Sequence, residues 1–285
     1  MGICPNTFKL LVHAIGLDFT DTLQVGRQNI FMTPKEMKKI YPPTQGDAFL
    51  MGGSPIKYAE PLFRCLGAKN IESCDISSNE GATHVFNLSA SVPEDLVEKY
   101  TLVYDGGTSE HCCSPFHTFK NIMSMVKPGG AAIFVVPANN LMGHGFWQYT
   151  PDFFYRIAAA NRLFSAHCVA IVDSPFPKYY LVPQCDQFEP RHRLESIWPV
   201  WLFVVVHKLA SVPMVQQALQ TGYNPEQQTF SNVTPRTGLV QAFINHFGGV
   251  CRWIEPIYYR FIQRKPHYPR IKLKNHYASH SPKLS

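Results

Sequence analysis

Thr101-Leu102-Val103-Tyr104-Asp105-Gly106-Gly107-Thr108-Ser109-Glu110-His111 opens the stretch, residues 101–145, on which the reading of this chain turns. A short apolar run stops at an acidic, glycine-containing loop. Residues 114–127 follow with Phe116, Phe119, Ile122, Met123 and Val126 at the spacing of one buried helix face. Lys127-Pro128-Gly129-Gly130 reads as the stop of that helix, with glycine supplying positive φ. Ala131-Ala132-Ile133-Phe134-Val135-Val136-Pro137 then reads as a fully buried strand. Strand, loop, helix and buried strand make a βαβ unit, which implies a parallel sheet and a right-handed crossover. In open α/β sheets ligands bind beyond the carboxyl ends of the strands. Residues 105–111 lie at one such end and residues 139–145 at the next.

Outward from this unit, the pattern extends to both sides. A helix is expected over 6–17, with Asn6 as its cap, and a first strand with its exit loop over 22–28. Thr33-Pro34 is a helix start that runs to Pro42-Pro43. Residues 44–55 read as a mobile loop, and 56–66 as a helix ended by Gly67. Residues 70–75 form a second strand ending in Asp75, and 84–87 a third ending in Asn87. A linker helix is expected over 93–100. Beyond the central unit, a helix over 150–161 precedes strands at 164–172 and 198–208, with 175–195 an irregular insertion. At least one more helix, over 239–247, is expected after residue 218. The expected division is a domain over 1–210 and a helical C-terminal extension with a basic tail over 211–285.

A chain of 285 residues with 45% hydrophobic and 16% charged residues can bury a substantial core and is not disordered. The net charge of +6 is uneven. Arg260, Arg264, Lys265, Arg270, Lys272, Lys274 and Lys283 carry the tail with no acid among them, a candidate contact for RNA or another anionic surface. The eight cysteines include no CxxC pair and mostly sit in apolar runs, which suits reduced core thiols. Adjacent Cys112 and Cys113 point in different directions, so His111, Cys112, Cys113 and His117 are not expected to hold a metal. No apolar run approaches the roughly 20 residues of a membrane span. The N-terminus lacks a basic region followed by a long apolar core, and a cytoplasmic location is expected.

Asp75, Asn87 and Asp105 end three successive strands on one edge of a parallel sheet. A carboxylate past the second strand suits two ribose hydroxyls, a polar side chain past the third suits an adenine amino group, and Gly106 and Gly107 admit a ligand without a Cβ in the way. That set fits an adenosine-containing cofactor.

The order and spacing of the acidic loop with its Glu110-His111, the helix, Lys127-Pro128-Gly129-Gly130 and the buried strand resemble the class I S-adenosylmethionine-dependent methyltransferases over residues 23–208. Leu23-Gln24-Val25-Gly26-Arg27-Gln28 and the segment 140–151, Asn-Leu-Met-Gly-His-Gly-Phe-Trp-Gln-Tyr-Thr-Pro, resemble a less studied branch of such proteins. The resemblance implies a Rossmann-like three-layer α/β sandwich with a mostly parallel sheet of about seven strands, and S-adenosylmethionine as cofactor. It places Gly26, Arg27, Asp75, Asn87, Asp105, Gly106, Gly107 and Thr108 against that cofactor. The chain departs from the family in offering only Gly26 where a GxGxG loop is usual. Arg27 can pair with the cofactor carboxylate or can fill its place. For a hydroxyl acceptor, His111 and His144 are the candidate bases, and Phe146, Trp147 and Tyr149 a candidate acceptor wall. The absence of an Asn-Pro-Pro-Tyr type motif speaks against a nitrogen acceptor. The expected activity is O-methylation of a small molecule or sugar. A catalytically inactive binding or scaffolding protein and an RNA-directed methyltransferase stand as alternatives. A nicotinamide-dependent dehydrogenase ranks last, because no GxGxxG follows the first strand.

Overall fold

The computed structural model describes residues 2–14, 16–42, 56–161, 164–184, 194, 196–211, 218 and 270–271. In chain order its strands are β1 (Gly2–Ile3), β2 (Asp21–Val25), β3 (Asn29–Ile30), β4 (Asn70–Asp75), β5 (His84–Val85), β6 (Tyr100–Asp105), β7 (Val126–Asn139), β8 (Phe164–Val172), β9 (Lys178–Val182), β10 (Val200–Lys208) and β11 (Arg270–Ile271). Its α-helices are α1 (Pro5–His13), α2 (Pro34–Ile40), α3 (Glu60–Cys65), α4 (Pro115–Met125) and α5 (Pro151–Asn161).

Among the described residues nine strands form one sheet in the order β11-β9-β8-β10-β7-β6-β2-β4-β5, larger than the seven or so expected. Strands β5, β4, β2, β6 and β7 are mutually parallel. The chain leaves β2 toward β4 and β5, then returns to lay β6 on the other side of β2. That reversal is a topological switch point, and it defines a Rossmann-like α/β sheet. Beyond β7 the sheet turns antiparallel through β10, β8 and β9.

Alternation along the central strands builds the two outer layers. Val103, Phe134 and Val136 face a cluster with Phe119, Ile122 and Met123 of α4 and Phe154 of α5. Leu102, Tyr104, Ile133 and Val135 face the other, with Phe8 and Leu11 of α1, Met37 of α2 and Leu62 and Phe63 of α3. A strand buried on both faces reads as a continuous apolar run, as 131–137 does.

Several expectations are corrected. Helix α4 ends at Met125, where Val126 turns extended (φ −77°, ψ 133°). The glycines therefore do not stop it; they form a bulge at the start of β7. Tyr100 pairs with Val126 and Leu102 with Ala131, so residues 127–130 stand opposite Thr101 alone. Gly129 has φ +81°, and a Cβ on Gly130 would lie 2.6 Å from the Thr101 carbonyl oxygen. The bulge delivers Lys127 Nζ to Asp21 Oδ2 at 2.6 Å. In place of a helix, residues 93–100 hold a 3-10 turn at Glu94–Leu96 and the first residue of β6, because Val97 is extended and Glu98 has φ +51°. The third strand is two residues long and leaves Asn87 outside it. Strand β9 lies within the stretch expected to be irregular. Cys4, not Asn6, precedes α1; Asn6 donates to Asp173 Oδ1 and accepts from the Tyr179 hydroxyl, tying α1 to the far end of the sheet.

Helix α2 follows its sequence signals, with a reciprocal capping box between Thr33 and Glu36. The loop over 44–55 and the helix over 239–247 lie outside the described residues. So does the basic, helical extension over 211–285, save residues 211 and 218 and the two of β11, which pair with β9. No helix among the described residues is long and apolar enough to cross a membrane.

Glu72 of β4 gives the sheet a pH-dependent contact. It accepts from Lys99 Nζ at 2.8 Å and from the Tyr100 hydroxyl, and meets His84 Nε2 at 2.9 Å. Although partial burial opposes it, these partners hold the carboxyl down at about 2, against an ordinary 4.5. A depressed carboxyl contributes stability that is present above its unfolded pKa and is lost as pH falls through the folded one. Urea unfolding is expected to show about 1–2 kcal/mol lost between pH 4.5 and 2, after discounting for solvent screening. Glu72→Gln is expected to flatten that slope; an unchanged slope would place the acid sensitivity elsewhere.

Candidate active site

The carboxyl edge at the switch point is built around the end of β6. Asp105 is fully buried. Its Oδ1 accepts from the backbone N–H of Thr108 at 2.8 Å and of Gly107 at 3.3 Å, and its Oδ2 from that of Ser109 at 3.3 Å. Gly107 has φ +103°, the left-handed turn that brings those donors round. Burial raises the carboxyl above its ordinary value while the donors pull it down. Asp105 is thus the anchor of its own loop. Thr108 Oγ1 donates to the Val25 carbonyl at 2.8 Å and ties the loop to the end of β2.

Gly26, Asp75 and Asp105 do share one edge, since Val25 pairs with both Cys74 and Asp105. Gly26 takes φ +70° and donates to the Cys74 carbonyl at 2.7 Å. Asp75 is partly exposed and accepts from Ser77 N–H at 3.2 Å. Asn87 is exposed and accepts from Ser89 N–H at 2.9 Å.

The first-strand loop is filled by protein. Arg27 Nε meets Glu60 Oε1 at 2.7 Å, Nη1 donates to the Glu80 carbonyl at 2.8 Å, and the guanidinium lies 3.9 Å from the Tyr58 ring centroid. Of the two roles open to Arg27, this arrangement favours closing the loop. Gln28 is buried, with Nε2 donating to the carbonyls of Val25 and Gly26. A Cβ on Gly106 would fall 2.2 Å from Gln28 Oε1, so that glycine admits Gln28. The approach expected for a ligand there is taken by the chain's own side chain.

Beside this edge the loop after β7 folds onto the 3-10 turn Ser109–His111. Phe146 N–H donates to the Glu110 carbonyl at 2.8 Å, and Trp147 Nε1 to the Cys112 carbonyl at 2.8 Å. Gly143 turns with φ +83°, and a Cβ on Gly145 would sit 2.9 Å from both Glu110 Cγ and Glu110 O. Only glycine lets the loop come this close. The clamp brings His144 Nε2 to 3.4 Å from Glu110 Oε1 and its ring to 5.5 Å from that of His111. Trp201 packs edge-on to His144 at 5.2 Å.

Glu110 is 0% exposed, and neither of its carboxylate oxygens has a hydrogen-bond partner in another described residue. Burial, with the Asp105 charge alongside, pushes its carboxyl up to about 8. His144 is shifted the other way, downward, by burial and then by His111. His111 and His144 are both exposed. Phe146 and Trp147 are exposed as an acceptor wall requires, whereas Tyr149 is buried against Phe153 and Phe154. Glu110 is the residue that sequence reasoning passed over. The dipeptide Glu110-His111 and the Gly143-His144-Gly145 turn were both legible, and a shared carboxyl edge is what joins them.

No protein-family model and no curated protein matches this chain. Solved structures with a related outline include the CMeT domain of the citrinin polyketide synthase, at 10% identity, 70% of this chain, 50% of that one and a TM-score of 0.38. A second is the methyltransferase bound to the Haloferax volcanii Trm112 activator, at 14%, 71%, 89% and 0.40. A third is the branched-chain polyamine synthase of Thermus thermophilus with N4-aminopropylspermidine and 5'-methylthioadenosine, at 13%, 77%, 59% and 0.36. The chain spans about half the length of the first of these. At such identity and superposition the likeness adds no argument; the fold stands on the strand order.

Proposed function

We propose that this chain is an S-adenosylmethionine-dependent methyltransferase acting on a hydroxyl of a small molecule or sugar. The observation that carries the reading is the switch point between β2 and β6, which sets Gly26, Asp75 and the Asp105 loop on one carboxyl edge. The residues fit the adenosine half of such a cofactor. Asp75, partly exposed past the second strand of the parallel core, can accept from two ribose hydroxyls, and exposed Asn87 can meet the adenine amino group. When bound, the cofactor supplies an electrophilic methyl group on a sulfonium. The chain's part is alignment and proton handling. The exposed imidazoles of His111 and His144, with Glu110 beneath them, are the groups that can take the acceptor's proton. The lowered pKa of His144 favours its neutral form, the form able to do so.

Calorimetric titration of the purified chain with S-adenosylmethionine and S-adenosylhomocysteine tests this. Micromolar binding is expected, and Asp75→Ala is expected to weaken it by about 1.5–3 kcal/mol, roughly 10- to 150-fold. Undiminished affinity in the variant would remove Asp75 from the site. No binding of either ligand by a folded chain would sink the enzyme reading.

A second reading, a methyltransferase-like binding or scaffolding protein without catalysis, is favoured by one feature: Arg27 is engaged by Glu60 and Tyr58, and Gln28 fills the space over Gly106. The RNA-directed alternative rests on the basic tail, which lies outside the described residues apart from Arg270–Ile271.

A further inference from the structure

We propose that Glu110, His111 and His144 form a three-ligand site for a divalent transition-metal cation, with its remaining coordination open to solvent. Each residue offers one ligand atom, and the three atoms lie within 4.8 Å of one another. His144 Nε2 and Glu110 Oε1 are 3.4 Å apart, the separation of two donors that sit about 2.1 Å from a shared tetrahedral ion. The His111 donor lies within 4.8 Å of the other two, and its exposure leaves the ring room to turn toward them.

Independent support comes from Glu110 itself. A wholly buried carboxyl whose two oxygens have no hydrogen-bond partner in another described residue calls for an explanation, and a role as a cation ligand is one of the few that apply. The backbone is arranged to keep this group at the foot of the site. Gly145 leaves open the space in which a Cβ would fall 2.9 Å from Glu110, while Phe146 and Trp147 pin the His144 loop to the Glu110 turn. Asp105, close enough to act on Glu110 electrostatically, is engaged by the N–H groups of its own loop and is not among the three donors.

Two imidazoles and one carboxylate are the donor set of Zn²⁺, Mn²⁺, Fe²⁺ or Co²⁺; Mg²⁺ and Ca²⁺ prefer oxygen alone. Three protein ligands with an open position is the pattern of reactive metal sites, as opposed to closed structural ones. The open position suits an oxygen ligand, water or an alcohol, whose proton the cation makes easier to remove. Cation binding stands independently of methyl transfer. The further assignment of the acceptor hydroxyl to that position rests on the reading above, and there the cation would do the work otherwise left to the imidazoles.

The test is titration of metal-stripped full-length chain with Co²⁺, followed by visible absorption, with Zn²⁺ as competitor and metal content measured after dialysis. One cation per chain is expected, displaced by Zn²⁺. Glu110→Gln and His144→Ala are each expected to weaken binding at least about tenfold, the lower end of what lost support for a metal ligand costs. Cys113→Ser, next to the turn but outside the ligand set, is expected to bind as the parent does. Zn²⁺ should raise the unfolding temperature of the parent more than that of Glu110→Gln. Glu110→Gln keeps the buried shape and His144→Ala changes an exposed residue, so at least one variant will report on a folded chain. Absence of a stoichiometric cation, or equal affinity in a folded Glu110→Gln or His144→Ala, overturns the proposal. A chain that binds Co²⁺ but neither adenosyl ligand keeps this inference and loses the preceding one; the reverse result does the opposite.

Discussion

Asp105→Ala is expected to lower stability by about 3 kcal/mol, the largest effect of any single change at the carboxyl edge. Two terms oppose each other. Burial raises the Asp105 carboxyl, so removing it relieves a desolvation cost. Against that, the N–H groups of Gly107, Thr108 and Ser109 lose their acceptor together. A donor left unsatisfied in the interior costs about 1–3 kcal/mol, and three donors outweigh one carboxylate. The same loop carries Glu110 and His111, so the variant should also lose Co²⁺ affinity while keeping its sheet by circular dichroism. Asp105→Asn keeps one acceptor and is expected to fall between the two. Urea unfolding of the three proteins side by side decides the matter; parent-like stability in Asp105→Ala would mean that the loop is held by Thr108 and the Val25 carbonyl instead.

Phe134→Ala is expected to cost about 3–5 kcal/mol. Phe134 is 1% exposed at the centre of β7. Its ring stacks on Phe119 of α4 at 5.1 Å and 16°, and meets Phe154 of α5 at 5.3 Å. Truncation would therefore open a cavity between the sheet and both helices of that layer, lined by Phe119 and Phe154, whose rings cannot close it without moving their backbones. The unfolding midpoint is the readout. A loss below about 1 kcal/mol would show that the layer collapses to fill the space.

These two residues stand on different footings with respect to legibility. Phe134 announced its burial, since a six-residue apolar run bounded by glycine and proline has few destinations other than a sheet covered on both faces. Strands β4 and β8 likewise run between the residues their patterns marked, and α2 starts at the Thr33-Pro34 signal with Glu36 in place. Side-chain alternation and capping act over a few residues, so a local reading captures them. Asp105 was legible as an acid at a strand end, but not as the acceptor for three of its own loop's N–H groups.

Where neighbours in space decide, local signals misled. Gly129 and Gly130 carry the residue types of a helix stop, yet the pairing of β6 with β7 makes them a bulge round Thr101. Strand β9 sits between prolines that argue for a loop, and pairing with β8 overrides them. The rest of the candidate site follows the same division. Residue types alone determined the parallel part of an α/β sheet, with Gly26, Asp75 and Asp105 at its carboxyl edge. Only the tertiary structure decided that Gln28 fills the space over Gly106, that Arg27 is engaged by Glu60, and that Glu110 meets His144 across 33 intervening positions of chain. Periodicity records which face of an element is buried; it carries no information about which loops a sheet edge brings together.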